Sequence, residues 1–250
     1  MATDRRHATV DHTYLGEYAM TQAEPRREDV GRRPATAPPP EKVRDYRAGT
    51  AALAACAGAV DLLALTKLGG AFASIVTGNL VTLGFGLGAV NAGKIAAVVI
   101  AVAGYGTGVA LWARIWRSRP AAVFGPLGAE MALLVVLATV LLVTDVTPAT
   151  VTARVLLAVA ALAMGGQSVA GLRLKATTTY LTGAFATAIN DAVAGRRTEL
   201  RSILTQLVAL VAGAAVTAAL LGHLPWAAAV LPPVLLSLAI VLLRPERGTR

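Results

Sequence analysis

Two polar motifs stand inside long apolar runs, and they resemble each other. Around Thr77-Gly78-Asn79 the chain reads AFASIVTGNLVTLGFG, and around Thr182-Gly183 it reads TTTYLTGAFATAIN. Each follows an apolar run that carries a polar side chain near its end, Asp61 in the first case and Gln167 in the second. A carboxylate in such a run costs about 2.5–3.5 kcal/mol on insertion scales, so Asp61 is expected to face a cavity or a partner and to serve as a proton or cation site. The structural alternative is an ion pair with Lys67 or with a base on a neighbouring helix. Gln167, its approximate counterpart, costs less and suits a hydrogen bond between helices.

Thr-Gly is a natural break in a helix. If the chain breaks there, a half-helix begins near Asn79 with unpaired N–H groups and a positive dipole end, which attracts anions or carbonyl oxygens. Thr182 and Gly183 would supply the second half of that site. The expected solute or ion pathway therefore comprises Asp61, Thr77, Gly78, Asn79, Gln167, Thr182 and Gly183. The alternative has Asn79 capping a helix and the glycines serving close packing.

The elements that must hold these residues are membrane helices. Of 250 residues, 56% are hydrophobic and only 15% charged, with a mean hydropathy of +0.63. A soluble domain carries about 25% charged residues, so too few polar side chains are present to cover a water-facing surface. The apolar runs are 48–66, 70–90, 95–113, 127–144, 155–172, 176–195, 202–222 and 226–243. Several match the roughly 20 residues that a helix needs to cross a bilayer. The net charge of +9 would suggest nucleic-acid binding in a soluble protein. Here most bases fall between apolar runs, where they orient helices, and no nucleic-acid partner is expected.

Aligning Gly78 with Gly183, an offset of 105 residues, pairs the remaining runs. The expected architecture is all-α, with a first membrane repeat over 48–145 and a second over 150–245. The basic clusters Arg114, Arg117 and Arg119; Arg173 and Lys175; Arg196, Arg197 and Arg201; and Arg244, Arg247 and Arg250 fall on one face if the two Thr-Gly runs enter and leave on the same side. Lys67, Lys94 and Arg154 are then left on the other face, as the positive-inside rule requires. Both termini are cytoplasmic in this scheme. The second repeat is inverted, and each repeat holds three spanning helices plus one broken or re-entrant Thr-Gly segment. Models with seven or eight spans are the alternatives. Residues 1–47 are polar, end in a proline-rich stretch and contain no apolar run of the signal-peptide kind, so they read as a disordered tail.

The series Gly58-Ala-Val-Asp61, Phe72-Ala-Ser-Ile-Val-Thr77-Gly78-Asn79, Met164-Gly-Gly-Gln167 and Thr178-Thr-Tyr-Leu-Thr182-Gly183 resembles the YoaK-like family of bacterial membrane proteins. That resemblance implies an integral protein of the bacterial inner membrane and brings no substrate with it.

Other polar residues have simpler readings. Glu130 and Asp191 are expected to pair with arginines at the membrane surface. His223, Trp112, Trp116 and Trp226 read as interfacial, Gly104 and Gly108 as helix-packing positions, and Pro232-Pro233 as a bend in the last helix. The single cysteine, Cys56, excludes an intrachain disulfide and a Cys metal cluster. No Walker A loop, HExxH helix or GxSxG elbow is present. Asp61 and Asp191 are the one conceivable aspartyl-protease pair, and Asp191 stands too near Arg196 and Arg197 to serve. The expectation is a channel or secondary transporter for a small solute or ion, without enzymatic activity or cofactor. Membrane lipid and the solute would be its partners, and a homo-oligomer is open. The alternative is a non-transporting scaffold or assembly subunit, with an intramembrane enzyme behind both.

Overall fold

The computed structural model describes residues 46–119, 122–174, 181–196 and 200–244. Much of the 1–47 tail, Thr177 to Tyr180, and the bases Lys175, Arg197, Arg247 and Arg250 lie outside them. The described residues form eight α-helices and no strand. These are α1 (Arg47–Lys67), α2 (Val76–Gly88), α3 (Ala92–Ile115), α4 (Phe124–Val143), α5 (Thr150–Arg173), α6 (Leu181–Val193), α7 (Leu200–His223) and α8 (Pro225–Leu243). Each apolar run of the sequence yields one of them.

Six helices, α1, α3, α4, α5, α7 and α8, are long and apolar enough to cross a membrane. With 13 residues each, α2 and α6 reach only about 20 Å at 1.5 Å per residue, short of a hydrocarbon core of roughly 30 Å. The chain is compatible with a multi-pass membrane protein.

Most of α1 and α5 is buried, whereas α3 and α7 turn residues such as Val99, Ile115, Val208 and Val211 outward. α1 packs on α7, α8 and α5; α5 packs on α3, α4 and α1; and α4 meets α8. α2 lies on α3, and α6 on α7.

Two crossings bring backbones into direct contact. A Cβ on Gly58 would overlap the Leu210 carbonyl oxygen, and one on Gly213 would overlap that of Ala55, so α1 and α7 each notch the other. In the other crossing, a Cβ on Gly108 would strike the Leu162 carbonyl and one on Gly165 the backbone of Gly108 and Val109. These are small-residue approaches of the kind that holds helices together where lipid supplies no hydrophobic drive. Gly104 also meets α5, at Ala158 and Ala161, while Gly106 faces open space.

The connection from α1 to α2 is where the first Thr-Gly run departs from expectation. The helix does not break at Thr77-Gly78-Asn79. It ends at Lys67, and residues 68–75 run without regular structure through Gly69 (φ 122°) and Gly70 (φ 80°), conformations that glycine adopts without steric cost. Val76 opens α2, so the Thr-Gly-Asn step lies in its first turns. Lys67, Gly69, Asn91, Lys94, Thr150 and Arg154 line one cavity. The end of α1 and the starts of α3 and α5 therefore share one end of the bundle.

The remaining sequence readings divide. Pro232 and Pro233 lie inside α8, which is helical from Pro225 to Leu243. Trp226 is exposed at the start of that helix. Trp112 is only half-exposed, because its indole Nε1 donates to the Leu162 carbonyl across the α3–α5 crossing at 3.3 Å.

Candidate functional site

The site is built from the irregular stretch that follows α1. Its backbone has no helix or sheet to pair with, so side chains must satisfy it. Asp61, buried near the end of α1, does part of this. Its Oδ1 accepts the Ser74 N–H at 2.8 Å and its Oδ2 accepts the Ser74 hydroxyl at 2.6 Å. Asn79 grips the same stretch from the α2 side: its Oδ1 accepts the Phe72 N–H at 2.8 Å and its Nδ2 donates to the Phe72 carbonyl at 2.7 Å. Asp61 and Asn79, read separately in the sequence, thus converge on Phe72–Ser74. No described base pairs with Asp61, so the ion-pair alternative with Lys67 is not formed.

Asn79 does not cap α2 in the usual sense, since the helix begins three residues earlier with no side-chain cap. Thr77 is exposed and Gly78 packs against Phe72 and Ile75. The second motif does not join this cluster. Thr182 and Gly183 are exposed on α6, and a Cβ on Gly183 would meet nothing within 4 Å. Because α2 rests on α3 and α6 on α7, helix packing does not bring the two Thr-Gly tips together.

Gln167 is buried on α5 and bridges to α1, its Nε2 donating to the Leu53 carbonyl at 3.0 Å. Leu53 is eight residues before Asp61, about 12 Å along the helix. Gln167 is therefore a separate contact, and its Oε1 has no partner. Beside it, the Ser168 hydroxyl donates to the Met164 carbonyl and shares a 2.8 Å contact with Tyr105 of α3.

Glu130 overturns its sequence reading. It is fully buried, and neither carboxyl oxygen has a hydrogen-bond partner. It does not pair with an arginine at the surface. It occupies the buried stripe of α4 between Leu127 and Leu134 and faces the interior of the bundle. Asp191, by contrast, does pair with Arg196. Glu130 lies three residues inside the apolar run 127–144, and α4 starts three residues before that run, at Phe124, which carries the acid from the rim into the interior.

Two kinds of polar chemistry therefore coexist. The Asp61–Ser74 and Asn79–Phe72 pairs are saturated and hold backbone. The carboxyl of Glu130 and the amide oxygen of Gln167 are buried and unsatisfied. Among the described residues no group of three or more His, Cys, Asp or Glu side chains could hold a metal ion. The sequence profile of one protein family, described as of unknown function, matches residues 49–243, which covers the helical region from α1 to α8. No curated protein and no solved structure matches the chain.

Proposed function

The chain belongs to that family, DUF1275, whose description assigns no activity, and from its own interior we propose that it is a YoaK-like channel or secondary transporter for a small solute or ion. It works in the bacterial inner membrane with both termini cytoplasmic and has membrane lipid as its other partner. The reading gives it no catalytic step.

One observation carries the proposal: Glu130 is fully enclosed with both carboxyl oxygens unpartnered. A charge left in such a place costs several kcal/mol. Any conformation that admits water or a cation beside Glu130 relieves that cost, so the group ties its charge to a change of shape. That coupling is what an ion- or proton-linked transporter needs, and intramembrane acids are rare otherwise.

Two further observations support an inverted duplication. First, α1 ends and α3 begins at one end of the bundle, so α2 need not carry the chain across, and three crossings per half place the second half upside down. Second, the packing pattern survives exchange of the halves. α1 sits on α7 and α8 as α5 sits on α3 and α4, and the notch of Gly58 with Gly213 has its counterpart in Gly165 with Gly108. Gly108 and Gly213 keep the 105-residue offset, while Gly58 and Gly165 differ by two more. In that register Ser168 corresponds to Asp61, with Gln167 one position away.

The test is flux. The wild-type chain and Glu130→Gln are reconstituted in liposomes holding a pH-sensitive dye and challenged with inorganic ions and small organic acids, amines and sugars. At least one solute is expected to move faster than in empty liposomes, and Glu130→Gln should slow it tenfold or more. A variant that moves the solute as the wild type does, or no flux above empty liposomes, overturns the reading. The saturated Asp61 clamp favours the second reading, a scaffold or assembly subunit, which predicts the absence of flux.

A further inference from the structure

The cavity that gathers the end of α1 and the starts of α3 and α5 has a volume of about 410 Å³, within the roughly 300–1,000 Å³ range of ligand pockets. Three bases line it, Lys67, Lys94 and Arg154, one from each helix, and no carboxylate does. None of the three has a carboxylate partner among the described residues. Lys94 places its Nζ over the Phe85 ring, 5.6 Å from its centre, a contact with the ring face that occupies none of its hydrogen-bond donors with an acceptor atom. The lining also includes Thr150, the first residue of α5, and that helix starts without a side-chain cap. Its first N–H groups have no intrahelical acceptor and form the positive end of a 24-residue helix.

Three like charges drawn into one concavity repel one another, the more so where protein and lipid lower the local dielectric. Bases arranged only to fix topology could point apart into solvent. Here all three line the same cavity, and lysine and arginine carry donors suited to several oxygens at once. We propose that this cavity binds a phosphate-type oxyanion, held by Lys67, Lys94 and Arg154. The same chemistry is offered by a free phosphate and by the headgroup of an anionic lipid. The inference does not depend on whether the chain transports anything.

The experiment uses the full-length chain purified in detergent and in phosphatidylcholine nanodiscs. One arm measures thermal unfolding and calorimetric binding with inorganic phosphate against chloride at equal ionic strength. The other adds phosphatidylglycerol to the nanodiscs and counts retained lipid by native mass spectrometry. Saturable phosphate binding identifies a free anion, and retention of about one phosphatidylglycerol per chain identifies a headgroup. Either is expected to fall tenfold or more in Lys67→Gln/Lys94→Gln/Arg154→Gln. The same charge loss at the opposite surface, Arg114→Gln/Arg117→Gln/Arg119→Gln, should leave it within twofold. Protection of Lys67 and Lys94 from acylation by the bound anion, read on the wild-type chain, needs no variant to fold. The proposal is overturned if neither anion binds, if neither lysine is protected, or if both triple variants lose binding alike.

Discussion

Replacing Asn79 with alanine tests whether the grip on Phe72 holds the loop after α1 in shape. The side chain makes two short hydrogen bonds to one residue's backbone, at 2.8 and 2.7 Å. Each is worth about 1 kcal/mol net, and a buried group left unpaired adds about 1–3 kcal/mol. Asn79 is buried but Phe72 is only half-buried, so water can recover part of what its backbone loses. The sum is about 2–3 kcal/mol. For a chain of 250 residues that lowers the unfolding midpoint by roughly 5–10 °C, at about 2–4 °C per kcal/mol. Asn79→Asp should do at least as much harm, because a carboxylate oxygen then faces the Phe72 carbonyl. Thr82→Ala is the control, since its hydroxyl bonds only to Gly78 of its own helix. Thermal unfolding followed by circular dichroism in one detergent ranks the three. If Asn79→Ala melts within about 1 °C of the wild type while Asn79→Asp does too, the loop is held by something else and the reasoning fails.

Gly213→Ala and Gly108→Ala should each destabilise by about 2–3 kcal/mol through overpacking, because the added methyl overlaps a carbonyl of the partner helix. Gly106→Ala, on the open face of α3, should be neutral or stabilise by up to about 1 kcal/mol; equal effects at 106 and 108 on the same melting assay would contradict the notch. Single cysteines at Lys67 and Ala92 should label from the outside of intact cells, and those at Ser118 and Arg196 only after permeabilisation. Cys56 is buried and should stay silent, and labelling of all four sites from one side would refute the six-span topology.

The helices were legible because apolarity and length mark them, and every run from 48–66 to 226–243 became a helix, six of them long and apolar enough to cross a membrane. The short α2 has its signal in the four glycines and Asn79 that it carries, although its start falls later than the run 70–90 suggests. The break falls at Gly69-Gly70 because two glycines can take positive φ, whereas Thr77-Gly78 has no such demand placed on it. Glu130 was misread by a boundary error. α4 begins at Phe124, with Gly125-Pro126 inside its first turn, so the acid stands nearly two turns inside the helix, not at its rim. The Asn79–Phe72 grip reaches back seven residues, from the first turn of α2 to the irregular chain before it, a contact to which no periodicity points. The convergence of Lys67, Lys94 and Arg154 was half legible: charge asymmetry separated them from the other bases, but only packing could draw three helix ends around one hollow.

The notched crossings also fix an order of events during synthesis. α1 emerges from the ribosome with a groove cut for α7, which follows more than 130 residues later. At about 5–20 residues per second that is a wait on the order of ten seconds, during which Gly58 and its neighbours need a temporary occupant, either acyl chains or an insertase. Cutting the chain at Asp145 would make the wait permanent, leaving two fragments each with an unmated groove, stable only when co-expressed.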